Sequence, residues 1–283
     1  MQTKDCPKQK RVIFAVHVVQ LKNYGEMEIF IGLTIPLLGT VLGAALVFML
    51  REKISGLLNK AMLGFASGVM VAASFWSLLQ PALEQVGEGL SNTWPILAGF
   101  AAGICFLLFL DCVIPHQHVD EKAPEGPKSK LPRSIKMILA VALHNIPEGM
   151  AVGVVFAGVM NGDTNLTVAG ALALSIGMAI QNIPEGAIIS VPLRSEGKSR
   201  SSAFTWGALS GLVEPAAAIA TIFFLGNSEG AMPLLLAFAA GAMLYVVVEE
   251  LIPSSQAGQH SNVGTIGFAI GFALMMTLDS ALG

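Results

Sequence analysis

Charge is scarce in this sequence. Only 12% of its 283 residues are Asp, Glu, Lys or Arg, where a soluble globular chain carries about 25%. With 54% hydrophobic residues and a mean hydropathy of +0.69, that shortage excludes a water-soluble globular protein and leaves an integral membrane protein. Cysteine is scarce too. Cys6, Cys105 and Cys112 form no CxxC pair, which excludes a disulfide framework and a cysteine zinc site. Short segments of alternating hydrophobicity are missing, so a membrane β-barrel is excluded.

What remains is a set of long apolar runs. A helix needs roughly 20 apolar residues to cross the hydrocarbon core. Eight runs meet that length, over about 29–50, 57–80, 95–115, 134–160, 166–191, 201–225, 231–252 and 262–282. The fold class is therefore an all-α membrane bundle, with residues 1–28 as an N-terminal tail and 29–283 as the eight-helix domain. Six GxxxG motifs lie wholly within the apolar runs, at Gly39/Gly43, Gly64/Gly68, Gly99/Gly103, Gly149/Gly153, Gly207/Gly211 and Gly267/Gly271, and let backbones approach closely. They are read as tight packing within the bundle, not as a dimer signal.

Lys and Arg in short loops set the orientation. The 1–2, 3–4 and 5–6 loops and their helix ends hold eleven: Arg51, Lys53, Lys60, Lys122, Lys128, Lys130, Arg133, Lys136, Arg194, Lys198 and Arg200. The 2–3, 4–5 and 6–7 loops hold none. The basic set, including the 3–4 loop over 116–133, is expected in the cytoplasm, with both termini outside. The tail disagrees, because it holds Lys4, Lys8, Lys10, Arg11 and Lys22. It has the charged start and short apolar patch of a signal peptide but no small-residue cleavage site. A start at Met27 is the second reading.

Two apolar runs are interrupted in the same way. His144–Gly149 reads HNIPEG and Gln181–Gly186 reads QNIPEG, 37 residues apart. His144 and Glu148, like Gln181 and Glu185, are four residues apart and so share a helix face. Pro147 and Pro184 cannot donate to the carbonyls of Leu143 and Ile180. Freed carbonyls at membrane depth need protein, water or an ion. The fourth and fifth spans run antiparallel, so the two glutamates meet near the midplane. Glu214 in the sixth span adds a third acid, again followed by a proline. The fourth, fifth and sixth spans have no central Lys or Arg to neutralise them. Like charges repel when buried together, and a divalent cation resolves that repulsion. A donor set of His, Glu and amide oxygen suits zinc or a related first-row metal. An intramembrane metalloenzyme is the rival class, but the HExxH motif is missing. Channel-like cation conduction is the other.

At these residues the chain resembles the ZIP (ZRT/IRT-like) family of divalent-metal transporters, most closely its bacterial GufA-like branch. The likeness runs from about residue 29 to the end. It implies an eight-helix bundle with an inverted repeat, frequent homodimers, and metal uptake into the cytoplasm or release from a compartment into it, with the cell inner membrane as the expected location. It also implies a binuclear site between spans 2, 4, 5 and 6. By motif, one position uses Met70, His144, Glu148, Gln181 and Glu185, and the other Asn145, Glu148, Asn182, Glu185 and Glu214. Zinc is the implied substrate, with cadmium, iron and manganese beside it, and no resident cofactor. Ser77 and Glu84 follow Met70 at seven-residue steps and are expected to line the outer pathway. Asp111, Glu249 and Glu250 have two readings, a release site and solvated helix ends. Where many members of the family have a histidine, this chain has Gln181, which hardens the first position. His116 and His118 in the 3–4 loop are read either as metal capture or as ordinary loop residues.

A protease tag inserted at Gly126 is expected to be protected in intact cells, and a tag after Gly283 cleaved. The opposite pattern overturns the loop-charge argument.

Overall fold

The computed structural model describes residues 26–49, 54–89, 91–117, 124–225 and 229–282. The expectations for tail residues 1–25 and for His118 lie outside them. Among the described residues, eight helices are long and apolar enough to cross a membrane. They are α1 (Met27–Phe48), α2 (Gly56–Val86), α3 (Trp94–Val113), α4 (Arg133–Met160), α5 (Val168–Ser195), α6 (Arg200–Phe224), α7 (Met232–Gln256) and α8 (Val263–Leu282). All eight coincide with the apolar runs of the sequence, although α2 and α7 extend several residues further. α4 and α5 are mostly buried, whereas α3 and α8 leave most of their surface exposed. That gradient puts the motif helices toward the centre of the bundle.

Glycine seams join the helices in pairs. A Cβ on Gly39 or Gly43 of α1 would strike the backbone of Ala179 or Ile183 in α5. Gly64 and Gly68 of α2 lie against Gly264 and Phe268 of α8, and Gly267 and Gly271 return the contact on Ala61 and Phe65. Gly99 and Gly103 of α3 lie against Leu234 and Phe238 of α7. Gly149 and Gly153 of α4 lie against Glu214 and Ala218 of α6. Gly207 and Gly211 meet Ala44, Ser190 and Thr40. All six GxxxG motifs are thus used inside the bundle, where missing side chains let backbones touch.

The seams obey an inverted symmetry. Exchanging α1, α2, α3 and α4 with α6, α7, α8 and α5 carries the α1–α5 seam onto α6–α4 and the α2–α8 seam onto α7–α3. Each exchanged pair runs in opposite directions. The last glycine of each motif follows the same rule. Gly186 of QNIPEG sits against the Thr40 carbonyl in α1, and Gly149 of HNIPEG against the Glu214 carbonyl in α6.

The sequence reading placed the helix interruptions at Pro147 and Pro184. The structure corrects this, because α4 and α5 stay α-helical through both prolines. The irregular turns lie in α2 and α7, at Ser74–Leu79 and Val247–Leu251, both π-helical. Each π turn contains the carbonyl that a proline four residues later cannot serve, Ser77 for Pro81 and Glu249 for Pro253, and the wider turn accommodates the ring. α6 is broken at Gly211–Leu212, just before Glu214 and Pro215.

Overpacking a well-packed seam costs roughly 1–3 kcal/mol. Gly43→Ala is expected to lose about that much in thermal unfolding of the detergent-purified protein. Gly56→Ala, with nothing near its added Cβ, is expected to lose none.

Candidate metal centre

The motif residues converge at the middle of the bundle. His144, Asn145 and Glu148 come from α4, Gln181, Asn182 and Glu185 from α5, Glu214 from α6 and Met70 from α2. All eight are buried, and Asn145, Glu148, Gln181, Asn182 and Met70 expose no measurable surface. Glu148 lies within electrostatic reach of Glu185 and Glu214. Glu185 lies within reach of His144 and Glu250. The four-residue spacing of each motif puts its first side chain and its glutamate on the face where α4 and α5 meet. Met70 is packed in the main hydrophobic core.

Donors are distributed unevenly across this cluster. Glu214 is well served, as the Thr40 hydroxyl donates to its Oε1 at 3.0 Å. Asn145 Nδ2 donates to the same oxygen at 3.3 Å and to the Ser210 carbonyl at 3.2 Å. Asn182 Nδ2 donates to Glu214 Oε2 at 2.6 Å and to the Pro36 carbonyl at 3.3 Å. Asn182 Oδ1 is taken by Gln181 Nε2 at 2.5 Å. By contrast, both oxygens of Glu148, both oxygens of Glu185, Asn145 Oδ1 and Gln181 Oε1 are buried and accept no hydrogen bond. Six acceptor atoms gathered without donors are costly in a protein interior. A cation supplies what they lack.

The remaining candidate residues separate into two ends. A cavity of about 330 Å³ opens on the 4–5 loop face and is lined by Ser77, Gln80, Glu84, Asn165 and Asp279. Ser77 and Glu84 share the wall of this cavity. Asp279 was missed, because no motif or spacing marks it in the last apolar run. It accepts a hydrogen bond from Ser77 at 2.8 Å. A smaller cavity of about 60 Å³ on the opposite face has His144, Glu185, Glu250, Asn59, Gln117 and Ser254 in its wall. Of these two cavities, the second reaches His144 and Glu185.

Asp111, Glu249 and Glu250 do not form one group. Glu250 turns inward and pairs with His144, while Glu249 is exposed. Asp111 accepts from the Tyr245 hydroxyl at 3.1 Å and lies 3.0 Å from His116 Nε2. The separation follows from α7. Adjacent positions on a helix point about 100° apart, so Glu249 and Glu250 cannot share one target. His116 is fully buried rather than solvated, and its Nδ1 faces the Ile114 carbonyl at 2.8 Å. With Asp111 and Glu125 it forms a group whose ligand atoms lie within 4.8 Å of one another. Thr40 was also missed, since one hydroxyl in an apolar run carries no periodic signal.

The family model described as "ZIP Zinc transporter" matches residues 115–279, more than half of the chain. The chain belongs to the ZIP family. It is 34% identical to human "Zinc transporter ZIP11", over 86% of this chain and 94% of that protein. It is 37% identical to "Zinc transporter ZIPB" of Bordetella bronchiseptica, over 92% of this chain and 84% of that one. Identity to "Zinc transporter GufA" of Myxococcus xanthus is 36%, over 89% and 99%. The last relative agrees with the GufA-like branch that the paired motifs suggested.

Glu185→Gln puts an amide donor among acceptors that have none. It is expected to raise the stability of the metal-free protein by about 1–3 kcal/mol. Thermal unfolding in detergent with excess chelator measures it, and a lower midpoint would show that these carboxylates hold the fold together.

Proposed function

We propose that this chain carries divalent cations, zinc foremost, across a lipid bilayer into the cytoplasm through two adjacent positions. The observation that carries the reading is the set of six buried acceptor oxygens without donors beside His144. The first position draws on Met70, His144, Glu148, Gln181 and Glu185. The second draws on Asn145, Glu148, Asn182, Glu185 and Glu214, so that Glu148 and Glu185 bridge. Thioether and imidazole at the first favour zinc and cadmium, while an all-oxygen second position tolerates iron and manganese. The first position thus governs selectivity and the second governs rate.

The route has an outer mouth and an inner exit. Ser77, Glu84 and Asp279 make the mouth on the 4–5 loop face, where acids attract cations. Glu250, reached from His144, makes the exit on the basic 3–4 loop face, with Asp111 beyond it. The smaller cavity on that face supports a state open to the cytoplasm. A homodimer in the cell inner membrane, with both termini outside, completes the reading. Neither channel-like conduction nor an intramembrane metalloenzyme is favoured, since the relatives are named transporters.

Zinc uptake by proteoliposomes tests the two positions. Glu148→Gln should fold and lose nearly all transport, and near-normal uptake would refute the shared site. His144→Ala should strongly weaken zinc and cadmium uptake. Asn182→Ala should stay within roughly tenfold of the parent, equivalent to about 1.4 kcal/mol, because both ends of its amide already have protein partners. Equal damage by the two variants for zinc, cadmium and manganese would remove the division of labour.

A further inference from the structure

Many serine and threonine hydroxyls inside these helices bond back within their own helix. Thr34, Ser67, Ser74, Ser175 and Thr277 bond back to a carbonyl four residues earlier in their own helix. That is the usual outlet for a hydroxyl with no better acceptor at membrane depth. Thr40 and Ser77 instead reach across the bundle, and each ends on a carboxylate. Ser77 serves Asp279 at the mouth. Thr40 serves Glu214 at the centre, 174 residues away in sequence.

The place of Thr40 is set by three helices at once. Its carbonyl lies against Gly186, the residue after Glu185, so α1 touches the QNIPEG turn backbone to backbone. Its side chain lies against Gly211, at the break in α6 that precedes Glu214. Thr40 exposes no surface. Under the inverted exchange of helices, Thr40 in α1 corresponds to Glu214 in α6, since each presents its carbonyl to the final glycine of a motif. The two half-sites therefore differ at this position, one with an acid and the other with a hydroxyl aimed at that acid.

Of the three donors to Glu214, two are amides of residues that the proposed second position also uses. Asn145 has its oxygen free for a cation while its Nδ2 holds Glu214. Any turn of Asn145 or Asn182 toward an ion weakens its grip on the carboxylate. Only the Thr40 hydroxyl has no competing duty. We propose that Thr40 is a positioning residue for transport: its hydroxyl holds Oε1 of Glu214 so that the carboxylate stays aimed at the second metal position as the ion arrives and leaves. This rests on the two-position reading above.

The experiment compares Thr40→Val, Thr40→Ser and Glu148→Gln in zinc-loaded proteoliposome uptake over a range of zinc concentrations. Valine keeps the shape against Gly211 and removes the donor. Thr40→Val should lower the maximal rate roughly tenfold, the effect of one hydrogen bond to a charged acceptor, with little change in KM. Thr40→Ser should recover most of that rate, and both should match the parent in size-exclusion profile. A Thr40→Val rate equal to the parent, or a Thr40→Ser rate as low as Thr40→Val, overturns the positioning role while leaving the site intact. Near-normal uptake by Glu148→Gln instead overturns the site, and the positioning role with it. If Thr40→Val does not assemble, Thr40→Ala removes the hydroxyl without a second methyl against Gly211 and carries the same expectation.

Discussion

Four carboxylates sit at the centre of a bundle whose described helices bring no lysine or arginine to them. Glu148, Glu185 and Glu214 are buried, and Glu250 lies beside His144. Burying an unpaired charge is among the most expensive things a chain can do in a bilayer. The other features of the site follow from managing that cost. Glu214 is held by three protein donors. Glu148 and Glu185 are held by none. One acid is thus prepared by the fold, and two lack that support.

Such a cluster needs walls that do not yield, or the acids would move apart. Glycine seams supply them. Where Gly149 touches Glu214 and Gly186 touches Thr40, the helix backbones are in direct contact. The motif glycines therefore fix the spacing between the helices that carry ligands. Direct backbone contact between helices leaves little room for adjustment, because protein interiors are close-packed and resist small deformations. The seams also pair the helices by an inverted rule, which places two near-identical motifs face to face. The departures from symmetry, His144 against Gln181 and Glu214 against Thr40, make the two halves of the buried cluster chemically unlike.

Asparagine suits this setting because its amide has two faces. Asn145 donates through nitrogen to Glu214 and keeps its oxygen for a cation. A carboxylate there would add charge, and a hydroxyl would reach less far. The π-helical turns in α2 and α7 do comparable work for the backbone. Each absorbs a proline, and the α7 turn carries Glu250 facing His144 and Glu249 facing outward.

Hydropathy alone determined the eight helices, because a bilayer demands uninterrupted apolar runs of nearly fixed length. The four-residue spacing in HNIPEG and QNIPEG determined which side chains share a face, since that follows from helix pitch. Small residues at GxxxG spacing announced close packing but not which helices would pair, because a seam needs two partners and the sequence names only one. Tertiary structure alone decided that Thr40 meets Glu214 and that Ser77 meets Asp279. Those contacts join residues 174 and 202 apart in sequence, and no local periodicity encodes them. It also decided which of Glu249 and Glu250 turns inward, because neighbouring helix positions point about 100° apart and the packing of α7 selects the one that meets His144.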